Sequence, residues 1–234
     1  MNNLGFEGIN AETTQRKSFL FKTYLHVFLA LVLFVCMQAV MFQTGVANVI
    51  LQKMASVNWL LILMAFGILS SMASRMAYQV KTLAGQYMAL VAFVFLWSVL
   101  SLSLVANFYY GSGVLVKNAA FLTIVSFSLL TVGTFVSKVN FSFLGVFLRW
   151  IGILAISLIV VQILGPMIFG GGFSFGLGTW FSLMMIAYAG GSILYSTSRI
   201  MRDFPVDKHV AASLELFSSI ILLFWYIYRY IGRD

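Results

Sequence analysis

The chain has 234 residues, of which 62% are hydrophobic and 9% charged, and its mean hydropathy is +1.01. Soluble domains carry about 45–50% apolar and about 25% charged residues, so a soluble globular protein is excluded. The net charge of +8 sits mostly at the ends of apolar runs, which is the signature of membrane orientation and not of a nucleic-acid partner; the two prolines and the single Cys36 exclude a Pro-rich disordered chain and a disulfide scaffold.

Residues 1–21, with Glu7 and Glu12, read as a short cytosolic tail and not as a signal peptide. A transmembrane domain over 22–234 follows. A spanning helix needs about 20 apolar residues, and seven runs meet that length: 23–46, 56–74, 83–107, 114–136, 142–164, 177–198 and 210–231. Backbone groups have no water partners in lipid, so the runs are expected to be helices. The fold class predicted is an all-α polytopic membrane protein of seven transmembrane helices. Polar or Gly-containing stretches separate them: Gln52-Lys53, Arg75 to Lys81, Tyr110 to Gly113, Lys138 to Asn140, Gly170 to Gly178, and Arg199 to His209.

The first run contains His26 near its cytosolic end and Cys36 as a packing residue. The fifth contains Arg149, flanked by Gly145 and Gly152. Between the fifth and sixth, GGGFSFGLG at 170–178 lacks the Lys-Ser/Thr of a phosphate loop and reads as a flexible hairpin. Ala187 and Gly191 in the sixth form a small-xxx-small helix contact. The seventh holds Glu215, and its end carries Trp225, Tyr226, Tyr228 and Tyr230 as an interfacial belt. Arg16, Lys17, Lys22, Arg75, Lys81, Lys138, Arg199, Arg202 and Lys208 fall on one side of the membrane, against Lys53, Lys117, Arg229 and Arg233 on the other. That bias predicts the N-terminus in the cytoplasm and the C-terminus outside.

No enzymatic constellation is visible. Of the acidic residues Glu7, Glu12, Asp203, Asp207, Glu215 and Asp234, only Glu215 lies within a span, so a pair of intramembrane aspartates is missing. There is no His-Glu-x-x-His motif, and the seventh span has no lysine for a retinal Schiff base. No cofactor is expected. An intramembrane carboxylate is costly and is normally paired or functional. Glu215 shares its helical face with Ala211, Ser218, Ser219 and Leu222, a small and partly polar face that should point into the bundle. Arg149 enters from the same side to a similar depth, so an Arg149–Glu215 ion pair is the pairing that the sequence suggests.

The stretch Leu-Tyr-Ser-Thr-Ser-Arg-Ile at 194–200, followed by Ala-Ser-Leu-Glu-Leu-Phe-Ser-Ser-Ile-Ile-Leu-Leu-Phe at 212–224, resembles the Bax inhibitor-1 family. That family's pattern runs Leu-Tyr-Asp-Thr-Gln-x-Ile, then Ala-x-Leu-Asp-Leu-Tyr-Leu-Asp-Ile-x-Asn-Leu-Phe. The segment from Ala119-Ala120-Phe121-Leu122-Thr123 through Lys138 to Gln162 is similar too, and the resemblance extends over about residues 20–232. It implies a helical bundle with the last helix at its centre, acting as a pH-sensitive calcium leak gated by two aspartates. It also implies, for eukaryotic members, suppression of cell death, and for some bacterial members, restraint of a membrane-bound ATP-dependent protease. This chain departs from the pattern: the aspartate of the sixth span is Ser196, the second one of the seventh span is Ser219, and the earlier acidic position survives as Glu215. Serines do not titrate near neutrality, and calcium prefers several oxygen ligands including carboxylates. Arg75 ends the second span as a topology anchor that could latch a carboxylate.

Two readings follow. One is a cation (calcium) leak whose path or gate uses Glu215, Arg149, Ser196, Ser219 and Arg75, with Glu215 as a weak candidate metal ligand. The other is a non-conducting interaction protein that modulates a membrane-bound protease or a stress response. The bacterial inner membrane suits the short tail and the small size, and a eukaryotic internal membrane is the alternative.

Overall fold

The computed structural model describes residues 3–80, 82–137, 139–169 and 178–232. Among these, every regular element is helical: α1 (Asn3–Gln43), α2 (Val46–Ser56), α3 (Trp59–Gln79), α4 (Leu83–Leu100), α5 (Leu102–Tyr110), α6 (Val114–Ser137), a 3-10 turn (Phe141–Phe143), α7 (Leu144–Phe169), α8 (Gly178–Arg202) and α9 (His209–Ile231). The all-α membrane class expected from the sequence is the one found. Lys81, Lys138, Arg233 and most of the 170–178 hairpin lie outside the described residues.

Six helical stretches are long and apolar enough to cross a membrane: Thr14–Gln43, Leu61–Gln79, Leu83–Leu100, Val114–Ser137, Phe141–Pro166 and His209–Ile231. The seventh expected span, α8, does not reach that hydropathy, because Gly190, Gly191, Ser192, Ser196, Thr197, Ser198 and Arg199 dilute it. Its 25 residues nevertheless extend about 37 Å at 1.5 Å per residue, longer than the hydrocarbon core.

Residue 21 lies within α1, which is continuous. Two boundaries differ from the sequence reading. Gln52 and Lys53 lie within α2 and not in a loop; Gly45, with φ of 76°, makes the left-handed turn that starts it. The run 83–107 is broken at Ser101, whose N–H donates to the Trp97 carbonyl while its own carbonyl accepts from Leu104 and Val105. The short helices α2 and α5 then meet at one end of the bundle. There the Tyr110 hydroxyl donates to Asn48 Oδ1 at 2.6 Å, and Phe42 stacks on Tyr109 at 4.1 Å.

Helix α9 is the centre, packed by α1, α3, α4, α6 and α8. In its apolar window 72% of residues are buried, against 11% for α7. Phe217, Leu216 and Val210 are fully enclosed, and Phe34 of α1 and Phe93 of α4 meet Phe217 edge-on. Helix α7 is peripheral and docks on α8 through two glycine notches. A Cβ at Gly145 would lie 2.8 Å from the Tyr195 ring, and one at Gly152 would lie 3.3 Å from the Tyr188 hydroxyl. Seven residues separate both the glycines and the tyrosines, the register of two antiparallel helices in close contact.

The opposite end of the bundle gathers the basic residues. The Lys208 ammonium donates to the Val80 carbonyl at 3.3 Å, Tyr78 of α3 meets Phe204 of the α8–α9 loop, and His26 of α1 packs edge-on against His209 at 4.8 Å. His26 is held from the other side by Tyr87, 2.9 Å from its Nε2.

Candidate functional site

The chemistry of this molecule converges on Glu215, one and a half turns into the central helix. Consecutive helices joined by a short loop run antiparallel, so the end of α8 lies beside the start of α9. The carboxylate Oε1 accepts a hydrogen bond and ion pair from Arg199 Nη2 at 3.2 Å. Both side chains are about one-third exposed. The expected pairing with Arg149 is therefore corrected. Arg149 points to the outside of the bundle and makes no ion pair among the described residues. The buried stripe of α7 is centred on Leu148 and Ala155. Arg149 lies about 100° from Leu148 around the helix, just past the edge of that stripe. Gly145 and Gly152 do mark the contact face, but a residue four or three positions away from them is not carried onto it.

Two clefts of about 290 Å³ each meet at Glu215. The first lies between α3 and α9, with Arg75, Ser74, Tyr78 and Gln79 on one wall and Ala211, Leu214 and Ser218 on the other. The second lies among α7, α8 and α9 and is lined by hydroxyls: Tyr188, Ser192, Tyr195, Ser196, Ser218 and Ser219, with Arg199 at its mouth. Four of the five residues singled out in the sequence thus share one locale: Glu215 belongs to both clefts, Arg75 to the first, and Ser196 and Ser219 to the second. Arg149 is the one left out.

The serines are not idle. The Ser218 and Ser219 hydroxyls donate back to the Glu215 carbonyl at 2.9 and 3.0 Å, the local bonding that Ser makes to the preceding turn. Ser219 therefore spends its proton on its own helix and makes no bond to Ser196 among the described residues. Ser192, Ser196 and Ser219 all line the second cleft. The arrangement is a wettable, hydroxyl-walled recess with one carboxylate and one guanidinium, next to a second recess headed by the exposed Arg75. Among the described residues no three His, Cys, Asp or Glu side chains come together.

Arg199 is the partner of Glu215 that the sequence did not reveal. It stands three residues before the end of α8, while Glu215 stands six residues into α9. The difference in depth is about one helical turn, which an arginine side chain spans. The guanidinium is further seated over the rings of Phe204 at 5.0 Å and Tyr195 at 5.8 Å. The signal was available as a basic residue and an acidic one flanking a short inter-helical loop.

A family model described as "Inhibitor of apoptosis-promoting Bax1" matches residues 16–234. Among curated proteins none matches the chain.

Proposed function

The chain belongs to the Bax inhibitor-1 family, and from that premise we propose that it is a passive cation leak whose path runs beside α9 and whose gate is the Arg199–Glu215 pair. The observation that carries this reading is the junction of two clefts at one carboxylate on the most enclosed helix. A charge that deep is costly unless it is paired or used. Here it is paired by a cation that the protein itself supplies, and that cation occupies the position an arriving ion would take. Displacement of the Arg199 guanidinium from Glu215 frees the carboxylate and connects the hydroxyl-lined recess to the Arg75 recess. The ion implied by the family is calcium. With Ser196 and Ser219 in place of aspartates, Glu215 alone must do the work of the titrating group. The bacterial inner membrane is the proposed location. The basic end bearing Arg16, Arg75, Arg202 and Lys208 faces the cytoplasm, and the C-terminus lies outside.

The test is calcium entry into dye-loaded liposomes at pH 6, 7 and 8, for the native protein and Glu215→Gln. Flux that falls in the variant supports the leak, and a pH dependence that vanishes with Glu215 assigns the gating to this one carboxylate. Absence of flux at every pH overturns it.

A second reading is favoured by the serines at 196 and 219 and by the guanidinium that closes the carboxylate. In it the chain is a non-conducting bundle that binds a membrane protein, such as a membrane-bound protease. Cross-linking in native membranes, followed by co-purification from detergent, tests that reading.

A further inference from the structure

The α8–α9 loop is built around one aromatic ring. Phe204 is 1% exposed, although the loop around it, Asp203, Pro205, Val206 and Asp207, is exposed. Four groups converge on this residue from three helices. Phe19 of α1, 2% exposed, stacks on it at 6.2 Å, and Tyr78 of α3 meets it edge-on at 6.2 Å. The Arg199 guanidinium of α8 lies over its face at 5.0 Å. Its carbonyl accepts from Arg16 Nη1 at 2.6 Å. Arg16 donates its other fork, Nη2, to the Arg202 carbonyl at 2.9 Å and sits 5.6 Å from the Phe19 ring.

These contacts form a continuous series from the fourth turn of α1 to the central carboxylate: Arg16, Phe204, Arg199, Glu215. Each link has a physical reason. The last carbonyls of a helix lack intrahelical donors and attract a cation. A planar guanidinium can satisfy two of them at once, which an ammonium cannot do with the same geometry. The bond to the Phe204 carbonyl fixes the loop, the fixed loop fixes the ring, and the ring face holds the Arg199 guanidinium where it meets Glu215. Arg199, about one-third exposed, has two aromatic seats, and the Phe204 ring at 5.0 Å is nearer than the Tyr195 ring at 5.8 Å.

We infer that Arg16 and Phe204 are positioning residues for the Arg199–Glu215 pair, so that the N-terminal part of α1 controls whether Arg199 stays on the carboxylate. Displacing α1 around its fourth turn withdraws Arg16 from the loop, releases Phe204 and loosens Arg199. Any binding event on the cytoplasmic lead of α1 is then transmitted to the centre of the bundle without contact between the ligand and α9. The proposal rests on the pair being a gate only for its functional consequence; the coupling itself does not depend on conduction.

Two measurements test it on the full-length protein. The first is a thermal double-mutant cycle in detergent. Arg16→Gln, Arg16→Lys and Phe204→Leu are each made in the native background and with Glu215→Gln. The expected result is that Arg16→Gln and Phe204→Leu lower the melting midpoint less when Glu215 is already neutral, and that Arg16→Lys recovers only part of the loss. Equal midpoint losses in the two backgrounds mean that Arg16 and Glu215 are independent, and this overturns the proposal. The second is liposome flux. Arg16→Gln is expected to raise flux roughly fivefold, the lower range for residues coupled in one network, and to have no further effect in Arg199→Gln. An equal rise in both backgrounds contradicts action through Arg199. Absence of flux in every protein removes the leak reading and leaves the thermal cycle to decide the coupling.

Discussion

Helices α7 and α9 begin from similar sequences and end in opposite environments. Each is an apolar run of more than 20 residues with a charge about a turn and a half from the end that faces the basic side, and α9 carries a second, Arg229, in its last turn. On α9 the charge is Glu215, partly buried, paired with Arg199 and flanked by two clefts. On α7 it is Arg149, exposed on the rim and without an ion pair among the described residues. Phe217 of α9 is fully buried, whereas Phe147 and Trp150 of α7 are 60% and 66% exposed. An intramembrane charge is therefore informative only with the face it occupies: a long basic side chain on an outer face can extend along the helix to the headgroups, but a carboxylate on an inner face cannot.

The comparison can be broken most forcefully in the packing. Phe217→Ala should cost roughly 2–5 kcal/mol, because lipid does not fill an internal cavity, while Phe147→Ala should cost well under about 1 kcal/mol. Melting of both variants in detergent checks this, and equal losses would mean that α9 is not the enclosed helix. The next effect lies in the α7–α8 notches. Gly145→Ala places a methyl 2.8 Å from the Tyr195 ring and should cost about 1–3 kcal/mol. Gly152→Ala, with 3.3 Å to the Tyr188 hydroxyl, should cost less, and Tyr195→Leu should relieve Gly145→Ala alone. The ordering of the four midpoints is the readout. The smallest effects are those of the charges. Arg199→Gln should cost about 1 kcal/mol, discounted because the pair is one-third exposed. Arg149→Gln should stay within about 0.5 kcal/mol of the native protein. A larger loss for Arg149→Gln would restore it as a structural partner of the site.

The sequence carried the helical class, the membrane environment and most of the span positions, because length and hydropathy alone decide these. Glu215 stood out as the one acidic residue in an apolar run, and Ser196, Ser219 and Arg75 entered through the resemblance. What was hidden is helix rotation. In water, a polar face separates outside from inside; in lipid both faces are apolar, and the 3.6-residue period carries little contrast. Glycines alone placed the α7 contact face, and an error of less than half a turn moved Arg149 from the interior to the rim. The break at Ser101 was hidden for a similar reason, since the residues on both sides are uniformly apolar. Arg199 was counted as a topology charge because it stands near a helix end, and its reach to Glu215 appears only when α8 and α9 are laid side by side. Arg16 gave no sequence signal at all, since its partners are backbone carbonyls.

In the proposed function the ion pair on the central helix closes a cation path. Comparison of Arg199→Gln and Glu215→Gln in one calcium-flux assay, in liposomes at matched protein density, tests this most directly. Opposite signs are expected: removal of the resident cation raises flux above the native level, and removal of the carboxylate abolishes it. Two variants that both lose flux, or a native protein and variants that never conduct, would contradict it.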